Sequence, residues 1–182
     1  MVTASKPLSY EEWLQLPEAE GKEEVVNGVI VKMPPNKLPH VNTVENLADL
    51  LKAKLNRNAV WVLTTNFGLV IRQNPVTTRT PDLAVFVKSN IVERDGYIHS
   101  APELLIEVLS PGNTRAERAE KLQDYESLGV PEVWVLSPEA QTVEVLLLQS
   151  GRLATASILR EGLLAPTKFP EAPIEISAIW PK

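Results

Sequence analysis

The spacing of hydrophobic residues changes near residue 58 of this chain. Between residues 39 and 55 they recur every three or four positions, and this period predicts a long amphipathic helix. Beyond residue 58 they form short runs rich in valine, isoleucine and leucine, which are typical of strands. These runs cover residues 60–64, 69–72, 83–87, 103–109, 132–136 and 142–148. The combination predicts an α/β or α+β fold, in which helices flank a mixed central sheet and an antiparallel meander follows toward the carboxyl terminus.

Two pairs of residues have the spacing of a capping box, which marks the start of a helix. The pairs are Ser9 with Glu12 and Thr114 with Glu117. The first predicts a short helix over residues 9–16. The second predicts a helix that begins at Asn113 or Thr114 and ends near residue 128, where Gly129 favours a left-handed stop.

Turn residues and polar stretches separate the remaining elements. Asn27 and Gly28 form a type I′ turn signal, so residues 24–33 predict a β-hairpin. Residues 77–79 are polar and predict a loop or an edge strand, and residues 90–101 predict irregular structure.

The chain has the length of one domain, which we place at residues 1–182. Its 44% hydrophobic and 23% charged residues are ordinary for a globular protein. The tail after residue 165 is rich in proline, and we expect its large apolar side chains to dock on the body of the domain. These side chains are Ile174, Ile176, Ile179 and Trp180.

Composition restricts the metals that the chain can bind. There is no cysteine, and only two histidines are present, His40 and His99. Zinc sites rarely consist of carboxylates alone, whereas Mg²⁺ and Mn²⁺ prefer oxygen ligands. The net charge of −5 disfavours a broad nucleic-acid-binding surface, because nonspecific DNA affinity comes from neutralised phosphates. A local basic rim around an acidic site is compatible with that charge.

The sequence predicts a cytoplasmic protein that does not bind membranes. No apolar run approaches the roughly 20 residues of a membrane helix. The first seven residues carry one lysine and no apolar segment, so they do not resemble a signal peptide.

Three short motifs supply the residue types of a metal-dependent phosphodiesterase. Asp82 opens an apolar strand, Glu107 interrupts a second one, and Lys121 lies on the helix that follows. Two carboxylates from neighbouring strands can hold a hard divalent cation, and a nearby ammonium can stabilise an attacking or displaced oxygen. The helix that returns from the second strand can bring Lys121 over both carboxylates.

Each of these residues also has an ordinary structural interpretation. Asp82 can simply begin a strand, and Lys121 can be a solvated helix residue. Glu107 can occupy an edge position or form an ion pair with Arg115 or Lys121. Glu24, a further acidic candidate, can be a salt-bridged residue of the hairpin. The joint occurrence of the motifs on suitable elements is what favours a functional site.

Several other side chains are candidates for substrate contacts, because basic side chains and the tyrosine hydroxyl can bind phosphates. They are His40, Arg79, Arg115, Arg118 and Tyr125. The alternative for His40 is a polar residue at a helix start, and the alternative for Tyr125 is core packing. Arginines on a surface are usually solvated.

The motifs together resemble the PD-(D/E)XK nuclease superfamily and, within it, the Uma2 family, whose members are described as restriction endonucleases. The similarity is carried by residues 104–145, which include the strings LLIEVLSPGNTR and EKLQDYESLGVPEVWVL. Upstream, EVVNG and TPDLAV resemble the hairpin and the first acidic strand of that family. The resemblance spans most of residues 24–148 and implies a restriction-endonuclease-like mixed sheet.

The resemblance also implies a set of metal ligands. Asp82 and Glu107 correspond to the two acidic ligands, the carbonyl group of Val108 commonly contributes, and Glu24 corresponds to an additional acid. The implied ion is Mg²⁺ or Mn²⁺. In this family the lysine of the motif is thought to come from the helix.

One departure from the superfamily pattern concerns that lysine. Leu109 stands where the motif lysine normally lies, and Lys121 matches the helix lysine thought to replace it. The resulting expectation is an endonuclease that hydrolyses DNA with Mg²⁺ or Mn²⁺ and can form a homodimer. A dimer with two sites that face one channel would support double-strand cleavage. The alternatives are an inactive nuclease-fold module that binds DNA or a protein partner, and a structural protein that pairs through its sheet edges.

Overall fold

The computed structural model describes residues 6–17, 21–64, 67–112 and 114–181 of the chain. Asn113 and residues 1–5, on which two of the sequence predictions partly depend, lie outside these ranges. Three α-helices are present in the described part: α1 (Tyr10–Leu14), α2 (Leu38–Lys54) and α3 (Arg115–Leu128). Within the same ranges, no helix has both the length and the apolar character needed to cross a bilayer.

Fourteen strands are formed by the described residues. The first eight are β1 (Glu23–Val26), β2 (Val29–Lys32), β3 (Val60–Thr64), β4 (Leu69–Gln73), β5 (Val76–Arg79), β6 (Leu83–Val87), β7 (Glu93–Arg94) and β8 (Tyr97–Ile98). The other six are β9 (Leu104–Val108), β10 (Glu132–Ser137), β11 (Thr142–Gln149), β12 (Arg152–Leu159), β13 (Leu163–Leu164) and β14 (Ile174–Glu175).

The central sheet has six strands in the order β12-β11-β10-β9-β6-β3. Strands β9 and β10 are parallel and are joined by α3, whereas the other neighbours are antiparallel. The predicted mixed sheet is therefore confirmed, as is the meander of β10, β11 and β12. The parallel pair needs a crossover connection, and α3 supplies it.

The second sheet has the order β2-β1-β5-β4-β8-β7 and differs from the sequence prediction in two places. Residues 77–79, predicted as a loop or an edge, lie in the fully buried interior strand β5. Residues 90–101, predicted as irregular, contain β7 and β8. The threonines of β5 can be buried because their hydroxyl groups are hydrogen-bonded. Thr78 accepts the backbone N–H of Val25 at 3.0 Å, and Thr77 accepts that of Asn27 at 3.1 Å.

Two hydrophobic cores cover the two faces of the central sheet. On one face α2 buries Leu47 and Leu51 against β9 and the tail, whose predicted docking residues all become buried. On the other face Tyr125 of α3 and Leu69 of β4 pack against the same sheet. Complete burial of one leucine contributes about 1.5 to 3 kcal/mol, so these layers hold β9 firmly between them.

The helix ends follow the predicted capping pattern. Both capping boxes are formed, Ser9 with Glu12 at α1 and Thr114 with Glu117 at α3. Gly129 ends α3 with a left-handed φ of 83°. A side chain at this position would be strained, which is why glycine terminates the helix.

The hairpin turn is fixed to two other segments. Asn27 and Gly28 have φ values of 52° and 77°, as a type I′ turn requires. The amide of Leu8 donates to the Gly28 carbonyl at 3.0 Å, and the amide of Gly28 donates to the Val76 carbonyl at 2.7 Å. The amide of Val76 donates to the Leu8 carbonyl at 2.9 Å. A Cβ atom on Gly28 would lie only 2.5 Å from the Leu8 nitrogen, so the three segments meet where no side chain fits.

Candidate active site

The two acidic motifs meet because their strands are neighbours. Leu83 of β6 is paired with Ile106 of β9 in the antiparallel register. Asp82 and Glu107 are each one residue beyond this pair, and therefore lie at the same end of the sheet. Both side chains line one cleft of about 390 Å³, together with Lys121. The segments 33–37 and 110–112 form the other walls of this cleft.

Asp82 is buried and surrounded by donors and cations. Its Oδ2 atom accepts the backbone N–H of Val108 at 2.9 Å. Its Oδ1 atom lies 3.1 Å from Nε2 of His40, without the alignment of a hydrogen bond, and 3.5 Å from Nζ of Lys22. Burial alone would raise the pKa of Asp82, but the contacts with His40, Lys22 and the Val108 amide outweigh burial and lower that pKa. Asp82 is thus a stable carboxylate.

Glu107 has the opposite pKa shift. Nζ of Lys121 lies 3.2 and 3.1 Å from its two carboxylate oxygens, and the hydroxyl group of Tyr125 donates to Oε1. Burial nevertheless raises the pKa of Glu107, and the negative charges of Asp82 and Glu24 raise it further. The negative charge at this end of the sheet is therefore only partly compensated by the side chains around it.

Lys121 connects Glu107 to Glu24. Its Nζ atom lies 3.4 Å from Oε1 of Glu24, which β1 places beside the cleft. Burial lowers the pKa of Lys121, but attraction to Glu107, Glu24 and Asp82 dominates and raises it. Lys121 is consequently a charged ammonium that reaches into the site from α3, as the sequence predicted for a returning helix.

Arg79 forms the base of this network. Its guanidinium group contacts Glu24 at 2.9 Å and Asp124 at 2.7 and 2.6 Å. Glu24 also accepts the amide of Thr80 at 3.1 Å. Burial raises the pKa of Glu24, yet Lys121 and Arg79 reverse that effect and lower it. Only 4% of the Arg79 side chain is exposed, so its guanidinium group is not presented to a substrate.

The remaining candidates for substrate contacts lie in different environments. His40 is buried at the cleft, where its Nδ1 atom lies 3.2 Å from Oγ of Ser110. Arg115 is exposed at the start of α3, and Arg118 is partly exposed and paired with Glu144. Tyr125 is fully buried, so it packs in the core and holds Glu107 rather than facing solvent.

Sequence reasoning missed Lys22 as part of the site. This residue lies just before β1, and it reaches Asp82 only because the hairpin folds against the start of β6. A single lysine next to a predicted hairpin carries no local signal of such a contact. Glu120, 3.6 Å from Arg79, was missed for the same reason.

The carboxylates suit a hard divalent cation such as Mg²⁺ or Mn²⁺ better than zinc, which prefers nitrogen and sulfur ligands. Within the described ranges, no group of three or more aspartate, glutamate, histidine or cysteine side chains is arranged to hold a metal ion. Asp82 and Glu107 offer oxygen atoms on one cleft, with the backbone of Val108 between them. Mg²⁺ keeps several water ligands and is commonly bound by one or two carboxylates. Burial, together with the negative charges of Asp82 and Glu24, raises the pKa of Glu107, and a bound divalent cation would favour its ionised form.

Comparisons with known proteins agree on the type of fold. A solved structure described as "a putative nuclease belonging to DUF820 from Anabaena variabilis ATCC 29413" superimposes with a TM-score of 0.78. The match covers 95% of this chain and 97% of that chain at 22% sequence identity, and it shows a shared fold. No curated protein matches the sequence. The profile of the Uma2 family, described as "Putative restriction endonuclease", matches residues 10–175. With its acidic pair at one end of a mixed sheet, the chain belongs to the Uma2 family.

Proposed function

We propose that this chain is a metal-dependent endonuclease that hydrolyses phosphodiester bonds of DNA. The observation that carries the proposal is the convergence of Asp82, Glu107 and Lys121 on one cleft, with Nζ of Lys121 3.1 and 3.2 Å from the Glu107 oxygens. Membership of the Uma2 family, described as "Putative restriction endonuclease", and the fold shared with a structure described as "a putative nuclease" support nuclease activity.

The ion in this proposal is Mg²⁺ or Mn²⁺. Asp82, Glu107 and the carbonyl oxygen of Val108 would hold it, with Glu24 as a nearby acid. Such an ion, when bound, lowers the pKa of a water molecule and polarises the phosphoryl oxygens. The ionised state of Asp82, which His40 and Lys22 help to maintain, suits a permanent ligand.

The side chains of the site orient the reacting groups. Lys121 moves its ammonium from Glu107 toward the attacking water or a phosphate oxygen, where it offsets the negative charge that develops. Tyr125 keeps one oxygen of Glu107 in place through its hydroxyl group. Arg79 fixes Glu24, which in turn guides Lys121. The attack is in line, and a sugar oxygen leaves.

His40, Arg115 and Arg118 are the proposed substrate contacts. His40 borders the cleft beside Asp82, and Arg115 is exposed at the start of α3. Arg118 can change partners, because its side chain is about one-third exposed and Glu144, with which it is paired, also accepts from Thr155. The buried Arg79 and Tyr125 are assigned to positioning.

The test is a cleavage assay on plasmid and single-stranded DNA with Mg²⁺ or Mn²⁺. We expect Asp82→Ala, Glu107→Ala and Lys121→Ala each to abolish cleavage while the circular dichroism spectrum stays unchanged. Asp49→Ala and Lys54→Ala, exposed residues of α2, serve as charge-matched controls. Persistent cleavage in the double variant of Asp82 and Glu107 would refute the mechanism.

A second candidate function is a nuclease fold without catalysis that binds DNA or a protein. This alternative is favoured because both proposed metal ligands already have cationic partners: Lys121 pairs with Glu107, and Lys22 lies beside Asp82. Leu109, in the place of the usual lysine, favours the same alternative. Calorimetric titration with Mn²⁺ separates the two, since only the nuclease has to take up the ion.

We further propose that double-strand cleavage involves a homodimer. Each chain contributes one such cleft, and two cuts on opposite strands need two clefts. Sedimentation of the protein with and without a DNA duplex measures the stoichiometry, and a strictly monomeric complex that cuts both strands at once would exclude the dimer. The cytoplasmic location stays a prediction from the sequence.

A further inference from the structure

We propose that Lys22 is a second phosphate-binding cation of the cleft, which contacts the DNA backbone on the side of Asp82 while Lys121 acts on the side of Glu107. This inference rests on the proposed function, because it assumes that a DNA phosphate enters the cleft. It concerns a residue that precedes β1 and lies outside the motifs that the sequence singled out.

The backbone holds Lys22 in a defined place. The amide of Met33 donates to the carbonyl of Lys22 at 2.9 Å, which extends the pairing of β1 and β2 by one residue. The side chain of Lys22 then lines the same cleft as Asp82, Glu107 and Lys121. The hairpin therefore places Lys22 in the cleft, and the turn at Gly28 fixes the position of the hairpin.

The carboxylate contact of Lys22 is longer than those of Lys121 and than the contact of Arg79 with Glu24. Among the described residues its carboxylate partner is Asp82, at 3.5 Å, whereas Lys121 has three carboxylate contacts between 3.1 and 3.4 Å. The side chains of Lys22 and Lys121 are 19% and 18% exposed, compared with 4% for Arg79. An ammonium that is accessible from the cleft and bound through one long contact can exchange its partner at little cost.

Charge balance favours an exchange of partner by Lys22. Four acids of this network, Asp82, Glu107, Glu24 and Asp124, face only three cations, Lys22, Lys121 and Arg79, so one negative charge is left over in the structure. When Asp82 turns to a divalent cation, the ammonium of Lys22 loses its carboxylate partner inside a cleft that now carries excess positive charge. A DNA phosphate is an anion that offsets this charge, and its non-bridging oxygens accept from an ammonium.

The alternative role for Lys22 is to neutralise Asp82 and nothing more. The two roles predict different effects of replacing Lys22 by an uncharged residue. Loss of a phosphate contact weakens DNA binding and makes it less dependent on salt. Loss of a mere counter-ion for Asp82 leaves DNA binding unchanged and strengthens binding of a divalent cation, because a competitor is removed.

The experiment compares Lys22→Met, Lys22→Arg and the control Lys54→Met. Lys54 lies at the end of α2, away from the cleft, and its replacement changes the net charge by the same amount. Binding of a fluorescent 20-base-pair DNA duplex is measured in Ca²⁺ between 50 and 200 mM salt, and a gel verifies that the duplex is intact. Thermal unfolding verifies that each variant is folded, and calorimetry gives its Ca²⁺ affinity.

We expect Lys22→Met to bind DNA several-fold more weakly, with a slope of log affinity against log salt that is smaller by about 0.9. Lys22→Arg should keep the slope, and Lys54→Met should match the unmodified protein. An unchanged slope in Lys22→Met, with or without tighter Ca²⁺ binding, would overturn the proposal.

The outcomes also separate this inference from the proposed activity. Cleavage by the unmodified protein together with an unchanged slope in Lys22→Met would retain the nuclease and discard the role of Lys22. If the slope depends on Lys22 but the protein cleaves no DNA with Mg²⁺ or Mn²⁺, the role of Lys22 is retained and the nuclease is discarded. No DNA binding by the unmodified protein would overturn both.

Discussion

Asp82 and Glu107 share one cleft, yet their pKa values shift in opposite directions. Burial acts on both carboxylates, but Asp82 faces His40, Lys22 and a backbone amide, which together hold its pKa low. Glu107 faces one ammonium and one phenol, and burial and the two neighbouring acids keep its pKa high. Asp82 is therefore ionised under all ordinary conditions, and Glu107 gains most from an additional cation.

A divalent cation should stabilise the folded protein through this pair. With Mg²⁺ or Mn²⁺ at one hundred times its dissociation constant, we expect about 2.7 kcal/mol of stabilisation, because the ion binds only the folded state. The measurement is the midpoint of thermal unfolding as a function of ion concentration. Asp82→Asn should lose the response and Asp49→Asn, on the exposed face of α2, should keep it. The same upward shift in Asp82→Asn would place the ion elsewhere.

Arg79 offers a second test at the scale of a residue. It is the buried partner of both Glu24 and Asp124, so Arg79→Met takes away the cation that pairs with Asp124 and leaves Glu24 with Lys121 and the Thr80 amide. We expect a loss of about 3 to 5 kcal/mol in the free energy of unfolding, measured with urea.

The matched control for this substitution is Arg152→Met. Arg152 also pairs with a glutamate, at 3.2 Å, but its side chain is 76% exposed. Exposed pairs contribute little, so the change should stay within about 0.5 kcal/mol. Equal effects of the two substitutions would show that the Arg79 network does not stabilise the fold.

These residues also show how far the sequence can predict the site. Asp82 opens an apolar run and Glu107 interrupts another, and this local contrast makes them recognisable in the sequence alone. Arg79 and Lys22 do not interrupt an apolar run. Their carboxylate partners lie 45 to 60 positions away in the chain. Contacts between residues this far apart in the chain cannot be predicted from the local hydrophobic pattern.

At the scale of elements, α3 links stability to the site. Its capping box begins the helix, Gly129 ends it, and between them the helix brings Lys121 and Tyr125 to Glu107. Most other side chains of α3 are polar and at least partly exposed. The helix therefore depends on its ends and on a few buried contacts.

Thr114→Ala should destabilise the protein by about 1 kcal/mol. The hydroxyl oxygen of Thr114 accepts the amide of Glu117 at 3.2 Å, and alanine leaves that amide without its partner. Urea unfolding gives the magnitude, and Thr114→Ser, which keeps the acceptor, should restore most of the stability. If serine and alanine were equally destabilising, the methyl group and not the cap would be responsible.

The elements themselves were predicted unevenly. Long helices and apolar strands have a strong hydrophobic period, and the predictions of α2, β3, β6 and the final meander were confirmed. Strands β7 and β8 contain two residues each, too few to show any period. Strand β5 carries polar residues whose hydrogen bonds are formed across the second sheet, so hydrophobicity alone does not predict its buried position.

For the whole molecule, the tail completes the core on the α2 side of the central sheet. Its apolar residues join a cluster that also includes Leu47, Leu51 and Ile106. The family match ends at residue 175, yet Ile176, Ile179 and Trp180 are buried beyond it. The single domain over residues 1–182 stays a prediction from the length of the chain.

Ile176→Ala should lower the free energy of unfolding by about 2 to 5 kcal/mol, because it opens a cavity in a packed core. Ile158→Ala is the matched control, since its side chain is 63% exposed and the same substitution there removes little buried surface. Guanidinium unfolding measures both. A loss in Ile176→Ala no larger than that in Ile158→Ala would show that the tail is dispensable for the body of the protein.

The turn at Gly28 limits how this molecule can be re-engineered. Three distant stretches of backbone are tied together there, and the same hairpin places Lys22 in the cleft and Glu24 beside it. This hairpin, if transplanted alone into another chain, would lack the Leu8 and Val76 partners that its turn uses here. A chimaera that exchanges this hairpin should therefore also exchange the segments around Leu8 and Val76.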